Sequence, residues 1–362
     1  MKLLFCLFNY FPYGGLQRDC MLLAKACLAA GDEVDIITQS WTGPKVPGIT
    51  VHCIPVRGWA NYQKCNNFTQ YVLTFIKKNH YDGVIGFDKM PGLDIYYAAG
   101  AYRSKAQGLL SFLPRDRTYE YLQQSVFSSL QKTHILLLTK TQQDIFIHHY
   151  ATATARFHML PPGIDPNRRL AVPRAKKTLL DQKNILFIGS SFKNKGLERA
   201  LRAVASLPKE VRTITKLWIV GHDSLMPYWF LIKQLGLSKQ IKFIGASDDV
   251  PQLLQHADIL LHPAHLELTG TVLLEALVAG VPVLTTAACG FADYVKASGA
   301  GKVIQDPFSQ AALNQALQEM LSPDELHHLQ EKALDFSKTA DVYRMPEVAV
   351  ELIHEILTNI AS

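Results

Sequence analysis

The fold is decided by Leu160-Pro161-Pro162-Gly163-Ile164-Asp165-Pro166, a polar and basic stretch to Lys183, and then Asn184-Ile185-Leu186-Phe187-Ile188-Gly189. Three prolines and a glycine within seven residues make a turn-rich joint. The apolar run after it restarts a pattern already present upstream. Short apolar runs at 2–8, 34–39, 51–56, 83–87, 95–99, 134–139 and 157–160 precede the joint, and runs at 184–189, 216–221, 241–244, 258–262 and 281–286 follow it. Several are apolar at nearly every position, as strands covered on both faces are. Helical patterns lie between and after them, at 15–30, 66–79, 115–132, 196–206, 225–236, 271–279, 309–321 and 344–359, with Gly31 stopping the first. Repeated βα alternation predicts parallel sheets with helices on both faces. The joint therefore predicts an α/β chain of two Rossmann-like domains in tandem, and 362 residues suffice for two cores.

The composition is that of an ordinary globular protein. A net charge of +6 favours anionic partners without choosing among nucleotides, phosphorylated glycans, lipid headgroups and nucleic acid. Six cysteines without Cys-x-x-Cys spacing read as free thiols in a reducing compartment, and no metal-ligand cluster is visible. Met1 to Phe8 is too short for a signal-peptide core and is broken by Asn9-Tyr10-Phe11-Pro12, so it reads as a buried strand. No run reaches the roughly 20 apolar residues that span a bilayer.

Ligands in such sheets bind beyond the carboxyl ends of the strands. In the second half, Gly189-Ser190-Ser191-Phe192-Lys193-Asn194-Lys195-Gly196 leads into a helix. It reads either as a phosphate loop or as a solvated connection. The stronger signal is Glu267-Leu268-Thr269-Gly270-Thr271-Val272-Leu273-Leu274-Glu275. A helix starting near Gly270 would point the free amides of Gly270, Thr271 and Val272 at an anion, with Gly270 permitting close approach. Glu275 and Glu267 would offer carboxylates to sugar hydroxyls from either side. Exposed helix-forming glutamates are the plain alternative, but Glu275 sits among apolar residues, where a carboxylate needs a partner.

In the first half, Pro12-Tyr13-Gly14-Gly15-Leu16-Gln17-Arg18-Asp19 joins a strand to a helix. It is either a tight turn or a close approach to ligand, and it lacks the Gly-x-Gly-x-x-Gly of dinucleotide-binding folds. Asp19 either complements the helix dipole or touches acceptor. Arg103, Lys105, Arg115 and Arg117 are interleaved with Leu109, Leu110, Phe112 and Leu113, a mixture suited either to an anionic membrane surface or to a solvated face.

Taken together, the early Gly-Gly loop, the Lys-Gly pair after the first strand of the second half, and Glu-x(7)-Glu resemble the retaining glycosyltransferases of family four, which have the GT-B fold. The words Phe11 to Asp19, Thr38-Gln39-Ser40-Trp41, Lys89-Met90-Pro91-Gly92-Leu93-Asp94, Leu160 to Ile164 and Val281 to Thr286 resemble the branch that builds the lipopolysaccharide core. The resemblance implies two Rossmann-like domains facing across a deep cleft. The acceptor domain would be 1–163 with 343–362, through a last helix that crosses back, and the nucleotide-sugar domain 164–342. It implies transfer of a hexose, glucose above others, from a UDP-sugar to an inner-core heptose, without metal or other cofactor. Lys195 and the Gly15 amide would bind the diphosphate, and Glu267 the transferred hexose. Gly270, Thr271 and Val272 would complete the cradle, and Glu275 would take the ribose. Lys195 and Glu267 are the catalytic candidates, and Asp19 and Asp94 the acceptor candidates. Arg103, Lys105, Arg115 and Arg117 would meet the inner face of the cytoplasmic membrane. No nucleic-acid partner is expected. Gly100 stands where the branch carries an aspartate, and Asn194 where it carries an arginine, so those two roles do not transfer. A UDP-sugar epimerase and a sugar-nucleotide-binding module without activity are the competing readings.

Overall fold

A computed structural model describes the chain apart from residues 13, 99–111, 166–177, 179, 248 and 362. It divides into two compact units, Met1–Gly163 with Arg344–Ser362, and Ile164–Tyr343. The first unit runs β1 (Lys2–Cys6), β2 (Asn9–Tyr10), α1 (Gly15–Ala29), β3 (Glu33–Thr38), β4 (Ser40–Trp41), β5 (Ile49–Cys53), α2 (Asn61–Lys78), β6 (Gly83–Gly86), β7 (Ile95–Tyr97), α3 (Pro114–Phe127), β8 (His134–Leu137), α4 (Lys140–Tyr150) and β9 (Phe157–Met159). The second runs β10 (Lys183–Ile188), α5 (Leu197–Ala205), α6 (Lys209–Ile214), β11 (Thr215–Val220), α7 (Trp229–Gln234), β12 (Ile241–Gly245), α8 (Val250–His256), β13 (Ile259–His262), α9 (Thr271–Val278), β14 (Val283–Thr286), α10 (Ala292–Ser298), β15 (Gly301–Ile304), α11 (Gln310–Met320) and α12 (Pro323–Thr339).

Both main sheets are parallel, ordered β5-β3-β1-β6-β7-β8-β9 and β12-β11-β10-β13-β14-β15. Strands enclosed on both faces explain the continuous apolar runs. Leu3 to Cys6 and Ile185 to Phe187 are wholly buried, and Phe5 pairs with Ile36 on one side and Ile85 on the other. In each sheet the order reverses once, between β1 and β6 and between β10 and β13. The loops leaving the carboxyl ends there open the crevice in which doubly wound sheets hold ligands.

The last helix, α13 (Met345–Ala361), belongs to the first unit. His354 Nε2 lies 2.8 Å from an Asp32 carboxylate oxygen, and Leu357 fills the space that a side chain at Gly83 would need. Several predicted helices have different bounds: 225–236 is a 3-10 turn, Met226–Tyr228, followed by α7, and two others have a visible cause. α3 stops at Phe127 rather than 132, because the Arg156 guanidinium takes the carbonyls of Val126, Ser128 (2.8 Å) and Thr133 (2.8 Å), ending the ladder with a charged cap. α2 starts at Asn61 rather than 66, because the Gln63 side chain accepts the N–H groups of Trp59 (2.9 Å) and Ala60 (3.1 Å).

Candidate active site

In the second unit the loops after β10 and β13 meet at the switch point. The β10 loop is shaped by the Phe192 N–H donating to Asp223 (2.7 Å) and the Lys195 N–H to the Ser191 carbonyl (2.9 Å). Gly196 then turns into α5 with φ +78°. The His265 N–H donates to the Asn194 carbonyl at 2.8 Å, and Arg199 of α5 donates to the carbonyls of Pro263 (3.2 Å) and Ala264 (3.0 Å). The two loops are therefore tied through backbone. A third segment fixes the second loop: Glu267 exchanges backbone hydrogen bonds with Ala288 (3.0 Å) and Gly290 (2.9 Å).

This framework brings Lys195 and Glu267 into direct ionic contact, with side-chain exposures of 19% and 14%. Burial lowers the Lys195 ammonium to about 8, opposed by the nearby Cys289 thiol. The touching carboxylate also favours the charged form. Gly270 caps α9 with φ +85°, and Thr271 and Val272 begin the helix. First-turn amides of an α-helix have no intrahelical partner, so those of α9 can receive an anion beside Glu267. Glu275 lies within α9 and is buried. The structure thus gathers Lys195, Glu267, Gly270, Thr271, Val272 and Glu275 in one unit.

Sequence reasoning passed over His262, the last residue of β13. It is wholly enclosed, and its Nε2 is 3.7 Å from Glu267 Oε2. A histidine closing the apolar run Ile259-Leu260-Leu261 was the available signal.

In the first unit Gly14 and Gly15 begin α1 for different reasons. A side chain at Gly14 would strike Gln17 and Phe11, whereas one at Gly15 would meet nothing within 4 Å. A residue with a side chain at the first would have to displace Gln17 and the Phe11 ring. The second leaves open space at a helix start. Asp19 is buried and accepts from the Tyr97 hydroxyl at 3.0 Å, tying α1 to β7. Asp94 precedes β7 and accepts from the Val84 N–H at 2.8 Å, which puts it at the amino ends of the strands, opposite the crevice. Its carboxyl is pushed up by burial. That hydrogen bond gives Asp94 a structural place and leaves it outside the acceptor candidates.

At the carboxyl ends of β1 and β6 a cavity of about 450 Å³ opens, lined by Phe8, Asn9, Lys64, Asp88, Lys89 and Tyr119 among others. The Phe8 N–H donates to Asp88 at 2.6 Å. Burial raises the Asp88 carboxyl, against this hydrogen bond and Lys89, and lowers the Lys89 ammonium to about 8. Both charges follow directly after an apolar strand, yet of the two only Lys89 falls within a quoted sequence word, and Asp88 was passed over. Arg115 and Arg117 are exposed on the first turn of α3, near exposed Phe112, Leu113 and Tyr121. Arg103, Lys105 and Gly100 lie outside the described residues.

The family profile "Glycosyl transferases group 1" matches residues 172–340. The lipopolysaccharide glucosyltransferase WaaG of Escherichia coli (strain K12) is 39% identical, over 98% of this chain and 98% of its own. The crystal structure of WaaG, a glycosyltransferase involved in lipopolysaccharide biosynthesis, superposes with a TM-score of 0.90 at 37% identity, covering 97% of this chain and 99% of that one. HepE of Anabaena, solved with UDP-glucose, shares the fold at a TM-score of 0.73 and 16% identity, over 99% and 100% of the two chains. With the likeness to WaaG running through both units, the chain belongs to the group 1 glycosyltransferases and has their GT-B fold.

Proposed function

We propose that the protein transfers glucose from UDP-glucose, with retention of configuration and without a metal, to a heptose of the lipopolysaccharide inner core. The observation that carries the transferase chemistry is the convergence of Lys195, Glu267 and the start of α9 at the β10/β13 switch point. A diphosphate leaving group gains negative charge as the anomeric bond loosens. An ammonium and helix amides already oriented toward it stabilise that charge without reorganising. Glu267 accepts from hexose hydroxyls and Glu275 from the ribose diol. The anomeric carbon–phosphate oxygen bond breaks, and the acceptor oxygen bonds to that carbon from the same face. The departing phosphate oxygen takes the acceptor proton, so no side-chain base is required. The choice of glucose and of lipopolysaccharide rests on the relative of 39% identity, and that of a core heptose on the resemblance of the sequence words above. The acceptor saccharide is assigned to the cavity beside Asp88 and Lys89, which is of ordinary ligand-site size.

The test is UDP release from a panel of UDP-sugars, with and without truncated lipopolysaccharide core. Acceptor-dependent release from UDP-glucose above the other sugars is expected. A changed free nucleotide-sugar without UDP would instead mean epimerisation, and tight donor binding without release would mean a binding module.

The acceptor is lipid-linked on this reading, and the exposed basic and apolar start of α3 suits the inner face of the cytoplasmic membrane. No helix among the described residues is long and apolar enough to cross one. Arg115→Gln with Arg117→Gln is expected to lower partition onto anionic liposomes roughly thirtyfold, at about 1 kcal/mol per charge. Unchanged cosedimentation would remove the membrane role and leave the transferase reading standing.

A further inference from the structure

The ring of His262 has no hydrogen bond among the described residues at either nitrogen, although it is entirely enclosed. Its backbone is held firmly: the His262 carbonyl accepts from the Thr285 hydroxyl (2.9 Å) and from the Ala264 N–H (2.9 Å). Only small side-chain movements are therefore left to bring the ring a partner. Burial, reinforced by the Lys195 cation, holds its pKa near 3. The Ile188 backbone lies near enough to oppose this slightly, without the geometry of a hydrogen bond. At working pH the imidazole is neutral, with one N–H and one bare nitrogen. An enclosed, unsatisfied ring is a standing cost to the fold, and such groups ask for an explanation.

The neighbours supply one. Lys195 contacts Glu267 Oε2, the same oxygen that lies 3.7 Å from His262 Nε2. Lys195 and Glu267 now lie in ionic contact, yet a donor needs both, the ammonium for its diphosphate and the carboxylate for its hexose. Once Lys195 turns to the diphosphate, a carboxylate that is only 14% exposed loses its cation. We propose that His262 is a positioning residue: as the diphosphate draws Lys195 away, His262 Nε2–H donates to Glu267 Oε2 and holds the carboxylate with its other oxygen free for the hexose hydroxyls. A movement of well under 1 Å converts the present 3.7 Å separation into a hydrogen bond. Neutrality is what the role demands, since an imidazolium would compete with Lys195 for Glu267 before the donor arrived. The inference rests on the UDP-sugar reading above and concerns this same donor site.

The experiment compares wild type, His262→Leu and His262→Gln as full chains, by thermal melting, by calorimetric binding of UDP and of UDP-glucose, and by turnover. His262→Leu removes an unsatisfied polar ring, so it is expected to melt at or above the wild-type temperature. It should bind UDP within about twofold of wild type, lose the added affinity that the glucose confers, and lose kcat roughly ten- to a hundredfold, the worth of one hydrogen bond to a charged group. His262→Gln, which keeps an N–H at similar reach, is expected to recover most of that kcat. A Leu variant that keeps kcat and the UDP-glucose advantage would overturn the proposal. So would one that loses melting temperature and UDP binding together without rescue by Gln, which is the signature of a purely structural residue. If wild type itself binds no UDP-sugar, the donor reading fails and this inference falls with it.

Discussion

Lys195→Ala is expected to lower kcat roughly a hundred- to a thousandfold, the usual loss when one preorganised donor to a developing anion is removed. The effect should fall on kcat and on kcat/KM alike, because the charge that Lys195 meets is largest in the transition state. A near wild-type kcat with only a raised KM would deny the residue its catalytic role. Removing the cation also leaves the largely enclosed Glu267 carboxylate without its ion partner, so some loss of melting temperature should accompany the substitution. Lys195→Arg separates the two effects, since it restores the charge without the point geometry. The pH dependence follows from the same group. Burial brings the ammonium to about 8 in the free protein. The charged form binds the diphosphate, so donor affinity should be flat below pH 8. Above it, affinity should weaken by about tenfold per unit until the pKa of the complex is passed. In Lys195→Arg that decline should disappear. Calorimetry with UDP-glucose at pH 7, 8 and 9 tests it.

Gly196→Ala is expected to damage the second unit severely for a change of one methyl group. Gly196 has φ +78°, and an added Cβ would lie 2.0 Å from the Pro263 carbonyl oxygen. Left-handed backbone costs a non-glycine residue about 1–2 kcal/mol. The clash adds to it, because a carbonyl fixed in backbone cannot rotate aside. The loops must separate at the place where Asn194 accepts from His265 and Arg199 holds Pro263 and Ala264. That movement pulls Lys195 away from Glu267. A loss of at least 2 kcal/mol, roughly 4–8 °C in the melting of this unit, is expected, together with donor affinity weakened tenfold or more, about 1.4 kcal/mol. Gly236→Ala is the control, having φ +69° but nothing within 4 Å of the added carbon. If both variants melt alike and bind donor alike, close approach of the two loops is not what the glycine serves.

The legible parts of this molecule were those in which one residue type repeats under one physical demand. β1, β6, β10 and β13 are covered on both faces, so apolar side chains at nearly every position announced them. α12 was missed although Ser322-Pro323-Asp324-Glu325 opens it, because Gln330 and Ser337 on its buried side dilute the apolar stripe. β15 offered only Val303 and Ile304 after Gly301-Lys302, too little to distinguish an edge strand from a loop. At the site, Glu267 and Glu275 were legible through their spacing around a glycine. Asp94 was not, since a motif names a carboxylate without saying which end of a sheet it will occupy. His262 was not legible either: its neutrality comes from burial reinforced by Lys195, and its nearness to Glu267 from the packing of β10 beside β13.

The return of α13 to the first unit has a consequence for the order of synthesis. The unit begun first is finished last, because Leu357 and His354 reach Gly83 and Asp32 only after every residue of the second unit has been made. The second unit is spelled without interruption and can close during translation, whereas the opening 163 residues wait with one flank uncovered. A nonsense or frameshift lesion in the codons for α13 therefore strikes a unit whose other segment lies beyond the whole second unit along the message.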